Sequence, residues 1–416
     1  MANIPNKGRL SSMSTKRTIS HGTILLLLGS ALGWAQQAQI GGLVPASNLG
    51  NSTAIPKPTL SLQGSTLILS DSPEQIIDGM ALPGAFYRDK VSGVFRVFYH
   101  HQNTLQNDVS VGIAITNTSQ RAEALFSHGR GAGVNYYPAV AGQMALSGFL
   151  SSRHATSFVT LLLPGQSYYS TQDNVAGDTA SGFEEYVLVS LADQAALRSL
   201  PLALLDSLGD KALTEASRNC SLPPFPAGYS AGTATVTTLV YAGTQPAAPT
   251  TLPILPADDH IRGTFSHFDR LGIFTISAAS GLQALAVSTA APGLPWSNDM
   301  PGEYELGVDA VDAGQQVYNN GNYGVLYRFI VQIENGVPLS NSPMGILMQP
   351  TGGAGEYAMS IDRHTMLSPY VDYTSAWWFG ELTSHAKSAV VNIETSLTGG
   401  SAGPQQLLFA PKFNGQ

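Results

Sequence analysis

The sequence is poor in cysteine and in charge. It holds one cysteine, Cys220, so neither an intramolecular disulfide nor a cysteine-rich metal site can form. Charged residues make up only 12% of the chain, which is about half of the share that is usual in soluble domains. Uncharged polar residues and glycine must therefore cover the surface, and packing rather than cross-links must stabilise the fold.

Positive charge is the scarcer of the two signs. The chain holds 20 Lys and Arg against 28 Asp and Glu, a formal net charge of -8. Four of these basic residues lie near the N-terminus, in a segment without acids: Lys7, Arg9, Lys16 and Arg17. An acidic body repels phosphate backbones and anionic lipid surfaces, so we predict no nucleic-acid partner and no electrostatic attachment to a membrane.

Long apolar runs are also missing, with one exception near the N-terminus. A basic segment is followed by the apolar run that begins at Thr23 and by Gly33-Trp34-Ala35, which predicts a signal peptide over residues 1–35 with cleavage after Ala35. The start could be Met1 or Met13. No later stretch is long enough to span a bilayer, so no transmembrane helix is expected in the mature protein. We therefore predict export to the periplasm, the cell surface or the extracellular space.

What the sequence does have is glycine, proline and short β-branched or aromatic runs. Residues 36–59 are rich in Gln, Ala, Ser and Pro and are predicted to be a disordered linker. The short runs predict a mainly β fold of two β-sandwich-type domains, over 60–245 and 257–413, joined by a proline-rich linker at 246–256. Leucines at helical spacing predict a small helical insertion near 191–218. The predicted strands are Ser65–Ser70, Val94–His100, Val109–Thr116, Ser157–Leu163, Glu185–Ser190 and Thr233–Ala242, with further short runs beyond 256.

Two groups of polar residues are candidates for a site. His100 and His101 are neighbours on a predicted strand and must point to opposite faces, so at most one of them could reach a given metal ion. Asp258-Asp259-His260 follows the proline-rich linker and could hold a metal, although no established metal-binding spacing is present and the identity of any metal stays open. Alternatively, the nearby Arg262 could form a structural ion pair with Asp269.

Aromatic and acidic pairs also permit contact with carbohydrate. A glycosidase needs two carboxylates about 5–10 Å apart across a sugar-sized cleft, and Glu184-Glu185 or Asp309 with Asp312 could supply them. Most aromatic side chains are nevertheless expected in the core. The aromatic residues that could stack on a sugar are Tyr136-Tyr137, Tyr168-Tyr169, Trp296 and Trp377-Trp378.

Four short motifs together resemble a family of secreted bacterial β-rich proteins known only as a domain of unknown function. They are Ser72-Pro73-Glu74, Val94–His101, Asp259–Phe265 and Gly321–Tyr327. Some members carry a copper-amine-oxidase label. That label does not transfer, because Asn322-Tyr323-Gly324 lacks the acid that follows the tyrosine in the quinone motif of such oxidases. The resemblance implies an exported envelope or extracellular protein, and it makes His100, His101, His260, Arg262, Asn322 and Tyr323 candidate binding residues.

These observations predict an exported protein with a non-enzymatic binding or structural role. Its predicted partners are envelope polysaccharide or other envelope proteins, and no cofactor is predicted. The alternative is an envelope enzyme that acts on glycans or is metal-assisted, with His100 or His101 combining with Asp259 and His260.

Overall fold

A computed structural model describes residues 39–191, 194–218, 229–287, 303–312, 314–334, 343–383 and 388–411. The predicted signal peptide, Cys220 and Trp296 lie outside these residues. The described part of the chain is mainly β, as the short turn-bounded runs predict. Its helices are α1 (Pro138–Ser152), α2 (Gln194–Ser199) and α3 (Leu202–Arg218).

In chain order, the strands are β1 (Leu43–Pro45), β2 (Thr53–Ala54), β3 (Ser61–Gln63), β4 (Thr66–Ser70), β5 (Gln75–Ile76), β6 (Gly84–Ser92), β7 (Val94–Asn103), β8 (Val109–Thr116), β9 (Glu123–Asn135), β10 (Ser157–Leu162), β11 (Ser167–Asn174), β12 (Thr179–Leu191), β13 (Tyr229–Ala231), β14 (Thr233–Tyr241), β15 (Arg262–Phe265), β16 (Asp269–Ser277), β17 (Gln283–Val287), β18 (Leu306–Asp309), β19 (Gln315–Tyr318), β20 (Leu326–Glu334), β21 (Met344–Pro350), β22 (Ala354–Gly355), β23 (Ala358–Ile361), β24 (His364–Leu367), β25 (Val371–Asp372), β26 (Ser375–Leu382), β27 (Ser388–Thr395) and β28 (Gln405–Pro411).

The first sandwich consists of a ten-stranded and a four-stranded sheet. The larger sheet has the order β10-β9-β12-β7-β4-β15-β18-β19, with β13 paired to β12 and β5 paired to β7. The smaller sheet has the order β11-β8-β14-β6. Side chains from both sheets share one buried apolar cluster, which includes Tyr87, Val97, Ile113, Tyr186 and Val236. Alternate residues of each strand thus face this core, as the period of two along a strand requires.

The second sandwich consists of two six-stranded sheets. Sheet A has the order β1-β26-β21-β28-β17-β2, and sheet B has the order β24-β23-β27-β20-β16-β3. Its core is aromatic: Phe274 lies 5.9 Å from Phe329 of sheet B and 6.0 Å from Phe409 of sheet A, measured between ring centroids. Trp377 is fully buried in the same cluster.

Both sandwiches draw strands from both sides of the proline-rich segment 246–256. β1, β2 and β3 precede this segment and belong to sheets A and B, whereas β15, β18 and β19 follow it and extend the ten-stranded sheet. The strands at Leu43–Pro45 and Thr53–Ala54 differ from the disordered linker predicted over 36–59. The reason is tertiary, since exposed strand edges in sheet A accept backbone hydrogen bonds from a segment whose own composition does not favour order.

α2 and α3 form the predicted helical insertion, whereas α1 was not predicted from the sequence. α1 packs against β9, where glycines leave room for it. A Cβ atom added to Gly131 would lie 1.7 Å from the carbonyl oxygen of Ala145, so only glycine permits this approach. At its other face, Gln143 donates hydrogen bonds to the carbonyl oxygens of Tyr357 and Ser368 in the second sandwich. Within the described residues, none of the helices has both the length and the apolar character that crossing a bilayer demands.

Candidate functional site

One end of the ten-stranded sheet gathers most of the candidate residues. Across this end, Asn135 of β9 pairs with Thr179 of β12, and Thr179 also pairs with Gln102 of β7. Gln102 in turn pairs with Gln75 of β5. His100 and His101 precede Gln102 on β7, so both histidines lie near this polar end of the sheet.

His101 is fully engaged inside the first sandwich. Its ring stacks on Phe86 with the centroids 3.6 Å apart. Its Nε2 lies 3.1 Å from Ser70 Oγ, and its Nδ1 lies 2.8 Å from the carbonyl oxygen of Pro73. Burial lowers the pKa of His101 to about 3, so the ring is neutral at pH 7. These contacts give His101 a structural role.

His100 is also buried, but its ring nitrogens lack hydrogen bonds. Only 1% of the residue is exposed, and neither ring nitrogen finds a hydrogen-bond partner among the residues that the structure describes. Burial, followed by the charge of His260, lowers the pKa of His100 to about 4. A Cβ atom on Gly399 would lie 2.3 Å from His100 Nδ1, so this glycine makes room for the ring. Buried polar groups without partners are rare and need an explanation.

Two more polar side chains accompany His100. The Oδ1 atom of Asp71 is shielded from solvent and has no hydrogen-bond partner in the described part of the chain. Burial, followed by the charges of Glu74 and Asp258, raises the pKa of Asp71 well above its ordinary value. Tyr323 is a near neighbour, because the charges of Asp71 and Glu74 add to the effect of burial on its pKa, which is raised above its ordinary range.

Beside this buried group, an exposed set of ion pairs joins two segments that are distant in sequence. His260 Nε2 lies 3.0 Å from Glu74 Oε2, and His260 Nδ1 lies 3.2 Å from Asp258 Oδ2. Asp258 also accepts hydrogen bonds from the backbone N–H groups of Glu74 and His260. Burial raises the pKa of Asp258, but these hydrogen bonds outweigh it and the pKa falls below its ordinary value. The three side chains are therefore held in place before any ligand arrives.

The ion pairs border a cleft of about 810 Å³, which is within the size range of small-molecule sites. We call it the acidic cleft. Apolar side chains form part of its wall, and carboxylates, the Gln75 amide and the His260 imidazole form its polar part. Its lining includes Glu74, Ile77, Asp78, Met80, Ile254, Asp258, Asp259 and His260.

The same cleft offers a candidate for metal ligation. One ligand atom from each of Asp258, Asp259 and His260 lies within 4.8 Å of the others. Within the described residues, this group includes neither His100 nor His101, whose rings are buried. The structure thus places the two histidine candidates in the protein interior and the Asp258–His260 group at the surface.

Arg262 and Asn322 are parts of the framework. Arg262 Nε donates to Asp309 Oδ2 at 2.9 Å, and its Nη1 donates to two backbone carbonyls. The ion-pair partner of Arg262 is therefore Asp309 and not the predicted Asp269, because Asp269 pairs with Arg96. Asn322 has a positive φ of 47° and donates to the Tyr327 hydroxyl and to a backbone carbonyl. Both residues stabilise the segments that border the site.

The aromatic candidates differ in exposure, and Tyr168 and Tyr169 are intermediate. Tyr136 and Tyr137 are 66% and 65% exposed and touch each other edge to face, with centroids 5.3 Å apart. Trp377 and Trp378 are buried in sheet A. Because Asn135 and Gln75 are three strand spacings apart, the tyrosine pair begins about 14 Å from the strand that borders the acidic cleft.

Reasoning from the sequence missed two residues of this candidate site. Glu74 was seen only as part of a resemblance motif and Asp71 not at all, because a carboxylate in a loop carries no periodic signal. Their place in the candidate site depends on long-range contacts, the pairing of β5 with β7 and of β15 with β4.

Comparison with known proteins finds no family model that matches the chain and no curated protein that is significantly similar to it. The resemblance to a family of secreted proteins therefore stays a prediction.

Proposed function

We propose that this chain is an exported, non-enzymatic binding protein that recognises a hydroxyl-rich envelope polysaccharide at the polar end of the ten-stranded sheet. The observation that carries the proposal is that an exposed tyrosine pair and a carboxylate-lined cleft lie at the same sheet end, where the strands that lead to them are about 14 Å apart. A linear polymer can contact both, whereas a small molecule can occupy only one.

The chemistry of the two parts is complementary. Tyr136 and Tyr137 each combine a flat apolar ring face with a polar hydroxyl group, which suits a surface that stays partly solvated. Glu74, Asp258 and Asp259 offer carboxylate oxygens that accept hydrogen bonds from hydroxyl groups. The ion pairs of His260 fix two of these carboxylates, so less side-chain entropy is lost on binding.

The test is affinity electrophoresis of the purified protein in gels that contain fractionated envelope polysaccharides. We expect at least one fraction to retard the protein. The double variant Tyr136→Ala/Tyr137→Ala and the single variant Asp259→Asn should each weaken this retardation about tenfold, a size expected for an anchor residue of an interface. Tyr373→Ala is the matched control, because Tyr373 is also 66% exposed but lies in the second sandwich. Unretarded migration with every fraction would contradict the proposal.

A glycan-active enzyme is the second candidate, and one observation favours it. Burial, with the charges of Glu74 and Asp258, raises the pKa of Asp71, whereas hydrogen bonds lower the pKa of Asp258, so the two pKa values are displaced in opposite directions. Such a pair is the usual arrangement of a general acid and an ionised partner. If the candidate holds, the wild-type protein releases reducing ends from the polysaccharide that it binds, and Asp71→Asn abolishes the release while binding persists. If no reducing ends appear, the binding function stands alone.

A further inference from the structure

We propose that a second cleft, at the opposite end of α1 from Tyr136 and Tyr137, binds a small organic oxyanion, such as a sugar carboxylate or a sugar phosphate. This basic cleft has a volume of about 580 Å³. It lies where β9 and the C-terminal end of α1 meet the second sandwich. The residues that carry its chemistry are His128, Arg153, His154, Arg328, Arg363 and Asn392.

The first observation is a surplus of hydrogen-bond donors. Three guanidinium groups line the cleft, yet the only hydrogen bond they donate to the described residues runs from Arg153 Nη1 to Glu394 Oε1, at 2.6 Å. Arg328 approaches Glu394 and Asp269 only at 3.4 and 3.6 Å. The Nε atoms of Arg153 and Arg328 are shielded from solvent and form no hydrogen bond with the described residues, although Arg328 Nε is the atom that lies 3.4 Å from Glu394 Oε1. Guanidinium groups with unused donors match the paired oxygens of carboxylates and phosphates.

Two carboxylates of the cleft, Glu394 and Asp362, offset part of the charge of its three guanidinium groups, and both already accept hydrogen bonds. Glu394 accepts the hydrogen bond from Arg153. Asp362 Oδ1 accepts hydrogen bonds from both the backbone and the side-chain amide of Asn392. Deeper in the protein, Glu185 and Asp269 are bound by Arg96. The local field has the matching sign, since burial and then the positive charges of Arg363 and Arg153 lower the pKa of His154.

The second, independent observation is backbone strain at the rim. Ile361 pairs with His364, so Asp362 and Arg363 form the two-residue turn between β23 and β24. Both have positive φ, 45° and 73°. A turn of this type favours Asn-Gly, and an arginine in it is unfavourable. Strained residues persist where the surrounding structure over-determines them, which happens often at ligand sites. Here the strain places Arg363 beside the cleft.

The size of the cleft indicates the ligand class. A bare oxyanion would fill only a fraction of 580 Å³, whereas organic ligands occupy pockets of about 300–1,000 Å³. Asn392 and His154 supply further polar groups beside the guanidinium groups, and Phe329 and Ile330 supply apolar wall. The ligand is therefore an organic molecule that carries the anionic group. This site is separate from the acidic cleft, and the inference does not depend on the polysaccharide proposal.

The experiment is isothermal titration of the full chain with three probes at constant ionic strength: inorganic phosphate, glucuronate and glucose. We expect saturable binding of phosphate and of glucuronate, tighter binding of glucuronate, and no binding of glucose. The double variant Arg328→Gln/Arg363→Gln should bind both anions at least tenfold more weakly. Arg121→Gln is the matched control, since Arg121 is exposed and lies outside the cleft.

Three outcomes would overturn the inference: no saturable binding of either anion, equal binding of glucose, or the same loss in Arg121→Gln as in the double variant. Should the double variant fail to fold, Arg363→Gly provides the second test. Glycine relieves the turn strain, so this variant is expected to fold and still to lose at least fivefold in anion affinity. Retained affinity in Arg363→Gly would count against the site as strongly as in the double variant.

Discussion

Arg96 and His100 lie on the same face of β7, four residues apart. Both side chains are buried, but they differ in their hydrogen bonding. Arg96 is fully buried and uses all five of its N–H donors, to Glu185, to Asp269 and to the carbonyls of Phe268 and Gly324. His100 is equally buried and uses neither ring nitrogen among the described residues.

The difference separates a buried polar group that stabilises the fold from one that costs stability. A buried charge is tolerated only when it is fully paired, as Arg96 is, and such a network fixes the relative position of the strands that it joins. A buried imidazole without partners costs stability and contributes none. The contrast between the paired Arg96 and the unpaired His100 is what the following predictions can break or sharpen.

The largest effect is expected for Arg96→Met. Removing the guanidinium leaves the Glu185 and Asp269 carboxylates buried without their main partner. Breaking a buried pair in this way typically costs about 3–5 kcal/mol. Urea unfolding followed by circular dichroism would measure the loss, with Arg121→Met as the exposed control. A loss below about 1 kcal/mol would mean that the network does not stabilise the fold.

The next effect concerns acidification. The pKa of His100 is about 4 in the folded protein, against about 6.5 in an unfolded chain. Above pH 6.5 the imidazole is neutral in both states. Between pH 6.5 and 4 the unfolded chain binds the proton and the folded protein does not, so stability falls as the pH falls. This proton uptake by His100 in the unfolded chain lowers the free energy of unfolding by about 3 kcal/mol in total, once the pH has fallen below 4.

Unfolding free energies at pH 7, 5.5 and 4.5 would test this contribution. His100→Leu should show a smaller decline with acidification than the wild-type protein, because its leucine cannot be protonated in either state. Parallel pH profiles of the two proteins would show that the pKa of His100 is the same in the folded and the unfolded state, and would contradict the prediction.

A third prediction compares His100 with its neighbour at pH 7. His100→Leu removes two unsatisfied nitrogens and should raise the free energy of unfolding by about 1 kcal/mol. His101→Leu removes the contacts with Ser70 and Pro73 and the stack on Phe86, and it should lower that free energy by about 2 kcal/mol. Equal signs for the two variants, measured by urea unfolding, would remove the contrast between them.

The smallest effect is expected at the β23–β24 turn. Replacing Asp362-Arg363 by Asn-Gly supplies the residues that two consecutive positive φ angles favour, and it should stabilise the protein by about 1 kcal/mol. The melting temperature should rise while anion affinity falls. As a control, the same change in a chain that already carries Arg328→Gln should give the same gain in stability.

Much of the first sandwich could be predicted from the sequence. The predicted strand Val109–Thr116 coincides with β8, and Thr233–Ala242 differs from β14 by one residue, because alternation of apolar side chains is a local signal. α1 could not be predicted in the same way. It is buried between two sandwiches, so its sequence lacks charges and a polar face. The glycines that make room for it, Gly129, Gly131 and Gly133, lie on β9 and not on the helix itself.

The site was predictable only in parts. Asp259 and His260 were found because ionisable residues are rare in this chain and stand out where they cluster. The sequence does not show that Glu74 meets His260, since the two are brought together by the long-range pairing of β15 with β4 and of β5 with β7. It also does not show that His101 is satisfied and His100 is not, because that depends on which face of β7 meets which neighbour.

The position of β28 has a consequence for how the protein reaches its native state. β28 lies in the interior of sheet A, between β21 and β17, while β1 and β2 form the two edges of that sheet. Residues near position 50 must therefore wait for residues 405–411 to be synthesised before their sheet can close. Contacts of such long sequence separation form slowly, so the second sandwich is expected to be the last part to assemble. A chain that is shortened by its last strand would leave two inner edges open to proteases and to self-association.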